Sequence, residues 1–352
     1  MARDRIERSE MVFLGADPEF FLEYKGKLAP VEEIVKEVGE DRLFKSDTAY
    51  NSFQDGLAFE LTISPTSCRQ IFAERFSKSI RHIVKGVGKK DIILSKKNHF
   101  KLTNKQLEKL SIDSLNFGCE PSRDAWNKGE EKTIDINPLS YKHRFAGGHI
   151  HLGVKRNKHD RNNRVYAKTV LKNRVKLVKL LDYVVGNLSV LLDRDTDNKL
   201  RRETYGQAGE YRSKYYGVEY RVLSNFWFRN YRTLSLISGL ARACVDMIGT
   251  NKEYGYDDEI LSAVPKEDII RAINENNVEL ALQNYKKIEP ILKEIVPEAT
   301  SSSYFDALNK IVCRFNLYMK RDMQKFWGQW GSWSVHDGWE RYSHKLKTRN
   351  RC

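Results

Sequence analysis

Four short segments of this chain alternate apolar and polar residues so regularly that each reads as a β-strand with one greasy and one charged side. Side chains in a strand point to opposite faces with a period of two. In FLGADPEFFL, Asp17 and Glu19 share one face while Leu14, Phe20 and Leu22 take the other. In GLAFELTI, Leu57, Phe59, Leu61 and Ile63 form the apolar face and leave Glu60 and Thr62 opposite. GGHIHLGV puts His149 and His151 together with Ile150, Leu152 and Val154 behind them, and GVEYRVL pairs Glu219 with Arg221 against Val218, Tyr220 and Val222.

An antiparallel sheet with one wet face alternates in this way by default, but such a face is ordinarily rich in Lys, Thr and Ser. This one offers carboxylates on three strands and two imidazoles on the fourth, the donors that hard and borderline divalent cations take. Carboxylates converging on one face also repel one another unless a cation neutralises them. Each pair alone is weak, and an H-x-H strand is more often structural than catalytic. The coincidence of four points to a metal site.

The segment LRRETYGQAGEYRSKYYGVEYR adds Arg201, Arg202, Arg212 and Arg221 among tyrosines and glycines. Fixed guanidinium forks suit phosphate recognition and charge neutralisation in phosphoryl transfer. The bland reading is a basic loop paired with Glu203 and Glu210; Gly206 and Gly209 favour close approach of backbone to a ligand. No Walker A sequence is present, so a P-loop route to ATP has no support.

Around these strands, helical periodicity is expected over Val31–Gly39, Cys68–Lys85, Val165–Leu192 and Tyr231–Ile248, and throughout the chain after about residue 255. Residues 86–145 carry few periodic runs. No internal repeat or low-complexity linker separates units, so the 352 residues read as a catalytic domain, 1–254, and a helical C-terminal extension, 255–352. The extension ends in a basic tail with Trp327, Trp330, Trp333 and Trp339, read as a small apolar cap, a base-stacking surface or a cover for the site. No apolar run is long enough to span a bilayer. The five scattered cysteines, with no C-x-x-C, suggest reduced thiols and a cytoplasmic setting. A formal charge of +14 fits an anionic partner, or equally a merely soluble basic surface.

The motifs resemble a known superfamily. FLGADPEFFL resembles the first metal-binding strand of glutamine synthetases, AGGHIHLG their G-x-x-H-x-H strand, and YGVEYRVLSNFW their R-x-E-x-R strand with Gly217 in place of the first arginine. With DGLAFEL and RRETYGQAGEYR, the set is closer still to the phage-associated COOH–NH2 ligase family, type 2, over roughly residues 12–230. That resemblance implies an α+β glutamine-synthetase-like fold: a largely antiparallel curved sheet with helices on one face. It implies metal ligands at Asp17, Glu19, Glu60, His149 and Glu219, with Asp55 standing in for a further acid. His151 would meet the nucleotide phosphates, and Arg212 and Arg221 would bind ATP and stabilise the transferring phosphoryl group, with Arg202 as a further catalytic candidate.

The implied activity is an ATP- and Mg²⁺- or Mn²⁺-dependent carboxylate–amine ligation through an acyl phosphate, in the cytoplasm of a host cell if the gene is a phage's. The acid and amine are unidentified, and a polyanion or nucleic acid is a candidate acceptor. The competing classes are a metal-dependent nuclease or phosphoesterase, which would use the same acids, and an inactive nucleotide-binding relative.

Overall fold

The computed structural model describes residues 11–88, 92–95, 97–116, 121–132, 136–157, 159–193, 197–250 and 255–295. The strands in chain order are β1 (Val12–Phe20), β2 (Leu22–Tyr24), β3 (Lys27–Ala29), β4 (Lys45–Ser46), β5 (Tyr50–Asp55), β6 (Ala58–Thr66) and β7 (Ile92–Leu94). They continue with β8 (His99–Lys101), β9 (Ser122–Asp124), β10 (Glu130–Lys132), β11 (His143–Phe145), β12 (Gly148–Val154), β13 (Glu210–Lys214) and β14 (Gly217–Tyr220).

Nine of these make one antiparallel sheet in the order β10-β9-β13-β14-β12-β1-β6-β5-β4. The four strands legible from alternation are its neighbouring centre, β14-β12-β1-β6. Their register sets Asp17 opposite His149, Glu19 opposite Glu60, and His151 opposite Glu219. The segment FLGADPEFFL, read from the sequence as one strand, is split at Phe21, where β2 leaves to join β3 and β7 in a separate three-stranded sheet.

The apolar sides of these strands pack against helices, as the α+β expectation requires. Helix Arg69–Val87 turns Phe72, Phe76, Ile80 and Ile83 into the core beside Phe59, Leu61 and Ile63 of β6. Each such buried side chain contributes roughly 1.5–3 kcal/mol. Phe72 stacks on Trp227, whose indole N–H donates to Gly148 O at 2.9 Å and so ties the helical layer to the histidine strand. Helix Tyr231–Gly249 lies on the same core.

The long run expected as one helix is broken. Arg161–Lys172 and Arg174–Leu181 meet at Asn173, and a π-helical turn, Asp182–Gly186, precedes Asn187–Leu192. Buried Asp182 accepts from Tyr220 Oη at 2.7 Å and Trp126 Nε1 at 2.6 Å. Gly186 lies against that same Tyr220 hydroxyl, 2.5 Å from where a Cβ would sit. Chain 255–295 is helical as expected (Tyr256–Ala263, Lys266–Asn274, Val278–Ile295). Its Ile260, Ile269, Ile273 and Ile288 belong to the same core as the sheet. The remainder of the expected extension, with its tryptophans, lies outside the described residues. Among the described residues no helix is long and apolar enough to cross a membrane. Cys68 is disulfide-bonded, against the expectation of reduced thiols throughout, while buried Cys244 is free.

Candidate functional site

The polar face of the sheet floors a half-open pocket. Asp17, Glu19, Glu60, His149, Arg212, Glu219 and Arg221 all line it, and so does Asp55. Phe21, Leu57, Ile136, Phe145 and Tyr205 supply apolar and aromatic walls.

Three acids form its tightest cluster. Glu19, Asp55 and Glu60 each present a carboxylate oxygen, and these lie within 4.8 Å of one another. Antiparallel pairing of β1 with β6 brings Glu19 and Glu60 together. Asp55 arrives from the end of β5, across a two-residue Gly56-Leu57 turn with Gly56 at φ 53°. Asp-Gly before alternating residues is a strong short-range hairpin signal. It was available in the sequence and would have placed Asp55 beside Glu60 and revealed β5. Burial, then Glu19, Asp55 and Asp17, push the Glu60 carboxyl up to about 10. Burial and Asp55 raise Glu19 to about 7, and burial raises Asp55 as well. Glu19 is nevertheless held firmly: Gly147 N donates to its Oε2 at 2.7 Å, and Asn225 Nδ2 donates to its backbone oxygen at 2.7 Å.

His149 completes this corner. Its ring is buried, its Nδ1 lies 3.7 Å from Glu219 Oε1, and its Nε2 has no hydrogen-bond partner. A Cβ at Gly147 would lie 2.6 Å from that Nε2 and 3.2 Å from Glu19 Oε1. The unpartnered nitrogen and the carboxylate oxygen therefore border the same gap. Burial, then Arg221, hold the imidazole well below its ordinary value, so it is neutral, the form that binds metal. Mutually repelling acids and an orphaned neutral imidazole fit a divalent cation.

Other expected residues are engaged differently. His151 Nδ1 is hydrogen-bonded to Tyr216 Oη, while its Nε2 lies 2.5 Å from Asp17 Oδ2 in a contact that lacks hydrogen-bond geometry. The second oxygen of Asp17 is buried without a partner. Glu219 spends its carboxylate on three cations: Arg221 Nη1 at 2.6 Å, Arg212 Nη1 at 3.2 Å and Lys214 Nζ at 3.1 Å. Burial favours its neutral form, but the Arg221 and Arg212 guanidinium groups against it hold its pKa far below the usual carboxylate range. Gly217, where the resemblance leads one to look for arginine, has no room for a side chain, since a Cβ would come 1.9 Å from Leu152 O. Lys214, on the neighbouring strand, supplies the third cation instead.

Arg202 is not brought to the pocket. It is 3% exposed and donates to Ile273 O and Asn276 Oδ1 at 2.5 and 2.9 Å, bracing the helices that follow. Burial and neighbouring Arg201 lower its pKa to about 9. Arg201 is buried too, donating to Val222 O with its guanidinium 5.1 Å over the Tyr205 ring. Sequence reasoning missed Arg144, whose guanidinium donates to the carbonyls of Tyr141, His143, Leu115 and Pro138 and so clamps the pocket's rim. No local pattern announces a residue whose partners are scattered carbonyls.

No protein-family description and no curated protein matches the chain. Among solved structures it is similar to a bifunctional glutathione synthetase from Pasteurella multocida, with 12% identity and a TM-score of 0.46, over 99% of this chain and 53% of that one. It is also similar to a novel glutamine synthase homolog, with 12% identity and a TM-score of 0.41, over 93% of this chain and 74% of that one. The chain thus spans about half the length of the first structure. Likeness of this degree carries no inference about activity.

Proposed function

We propose that the protein is an ATP- and divalent-metal-dependent ligase joining a carboxylate to an amine. The observation that carries this reading is the corner where Glu19, Asp55 and Glu60 meet the unpartnered His149 nitrogen, with Arg212 and Arg221 lining the same pocket. Glu19, Asp55, Glu60 and His149 would hold Mg²⁺ or Mn²⁺, and Asp17, with its unpartnered oxygen, stands beside them. The cation supplies positive charge that draws the substrate carboxylate and the ATP phosphates together. Glu219, expected within the metal cage, is better suited to fixing Arg212, Lys214 and Arg221 in place. Those arginines would neutralise charge on the phosphoryl group in flight.

In the balanced sequence, a carboxylate oxygen attacks the γ-phosphorus and its bond to ADP breaks, giving an acyl phosphate. The amine nitrogen then attacks the acyl carbon, phosphate leaves, and the amine loses a proton. Of the His151 ring nitrogens, Nε2 would be the one to meet a phosphate, since Nδ1 is held by Tyr216. The competing nuclease would use the same acids, but a pocket walled by apolar and aromatic side chains suits a nucleotide with a small acid better than a duplex.

The test is a screen of acids and amines for ADP and phosphate release in the presence of Mg²⁺ or Mn²⁺. ADP formation that needs both an acid and an amine supports the ligase. Metal-dependent cleavage of nucleic acid without ATP would replace it with the nuclease.

A further inference from the structure

One long surface is left unexplained by the pocket. The stretch Lys155–Lys179 holds ten Lys or Arg and a single acid, Asp160. That acid is spent locally, because its carboxylate caps helix Arg161–Lys172 by accepting from the backbone of Asn162 and Asn163 at 2.8 and 3.1 Å. Two of the cations turn inward: Lys176 pairs with Asp257 at 2.7 Å, and Lys179 lies 5.1 Å over the Trp126 ring. Lys155, Arg156, Arg161, Lys168 and Lys172 remain exposed. Arg161, Lys168 and Lys172 are spaced seven and four residues apart, which at 100° per residue puts them on one line of the helix, about 16 Å long.

The β13–β14 turn continues this strip toward the pocket. Arg156 donates to Tyr215 O at 3.2 Å, and Arg174 donates to Lys214 O at 3.1 Å and Gly217 O at 3.0 Å. At the tip stands Tyr215, 86% exposed, its ring edge-on to Tyr216 at 5.1 Å. Tyr216 in turn bonds His151, the partner of Asp17 in the pocket wall.

We infer that this strip binds a single-stranded nucleic acid, with its phosphates along Arg161, Lys168, Lys172 and Arg156 and a base stacked on Tyr215. A row of one sign, with its only acid engaged in capping the helix, matches a polymer carrying a regular negative charge better than a peptide of mixed charge. A single open aromatic ring beside basic side chains is the arrangement that holds unpaired bases without reading sequence. A membrane surface is the poorer match, because the exposed helix line carries Val165 but no aromatic or long aliphatic side chain of the kind that inserts among lipids. The inference goes beyond the ligase reading and does not depend on turnover. If the two are linked, the strip would deliver a polymer-borne acid or amine to the pocket past Tyr216.

The experiment is fluorescence anisotropy of the full chain with a labelled oligothymidylate, titrated over a range of salt, without ATP. Four or five neutralised phosphates predict a slope of log affinity against log salt of about −3, at roughly −0.7 per phosphate. Arg161→Gln/Lys168→Gln/Lys172→Gln should flatten that slope by about 2, again at −0.7 each, and glutamine keeps the helix propensity. Tyr215→Ala should cost on the order of tenfold in affinity with the slope unchanged. A charge-matched control, Lys266→Gln/Lys286→Gln/Lys287→Gln on the far helices, should bind as the parent does. The inference is overturned by no binding at low salt, by strip variants that match the control, or by equal affinity for vesicles containing phosphatidylserine. Loss of ligase activity in every assay would leave it standing.

Discussion

Glu60 shows how a single residue's chemistry reports on the site. Its carboxyl, pushed up to about 10 by burial and by neighbouring acids, and that of Glu19, raised to about 7, bind protons in the folded state that the unfolded chain releases near pH 4.5. Stability therefore falls as pH rises from about 5 through these folded values, since the native state is the one holding more protons there. The metal-free protein should lose thermal stability between pH 5 and 9, and saturating Mn²⁺ should flatten that decline. Glu60→Gln should stabilise the metal-free protein at pH 8 by on the order of 2 kcal/mol, because it removes a buried, repelled acid, while abolishing the response to Mn²⁺. A thermal scan with and without the ion checks both.

Arg221 makes the complementary case, because its guanidinium is already fixed by Glu219 at 2.6 Å. Arg221→Lys keeps the charge and loses the fork. It should lower single-turnover ATP cleavage about a hundredfold while leaving ATP affinity within a few-fold, as expected of an interaction made in the transition state. A change confined to affinity would make Arg221 a ground-state clamp. At this scale the sequence revealed the faces on which Asp17, Glu19, Glu60, His149, His151, Glu219 and Arg221 stand, because a period of two is local. It did not reveal that Arg202 turns away, because its partners lie 71 and 74 residues downstream.

Elements explain why two glycines flanking the histidine strand should answer substitution differently. At Gly217 an added Cβ meets a backbone oxygen of β12 at 1.9 Å, and neither strand can yield without breaking the ladder. Gly217→Ala should therefore destabilise the fold by roughly 2–4 kcal/mol, read from urea denaturation. At Gly147 the added Cβ meets the His149 ring and the Glu19 carboxylate, side chains that can shift a little. Gly147→Ala should fold with little change in midpoint yet weaken Mn²⁺ binding at least tenfold, read by calorimetry. Equal metal affinity in Gly147→Ala would place the cation elsewhere. Strand Gly148–Val154 was legible to the residue, and helix Arg69–Val87 nearly so, because both carry unbroken periodicity. The π turn at Asp182–Gly186 was not, since it depends on Tyr220 and Trp126 reaching a buried acid from distant strands. Strand β13 was hidden because EYRSK offers no apolar alternation, and its place is set by pairing with β14.

At the scale of the whole molecule, the two proposed sites occupy separate surfaces: an acid-lined pocket on the polar face of the sheet, and a basic strip along helix Arg161–Lys172 that meets the β13–β14 turn. The net charge of +14 is consistent with the strip and does not bear on the pocket, where Glu19, Asp55 and Glu60 crowd three carboxyl groups together. That crowding of acids beside Arg212 and Arg221 is why ATP should need a cation to enter: the metal would hold the three carboxyl groups in their ionised form and offer the phosphates the positive charge that the protonated, metal-free cluster lacks. The most direct measurement is calorimetric titration of ATP into the metal-stripped protein, repeated with Mg²⁺ or Mn²⁺ and with a Glu19→Ala/Glu60→Ala variant. The account predicts ATP binding only with the cation present and none in the variant. ATP binding of equal strength without metal, or unimpaired in the variant, would contradict it.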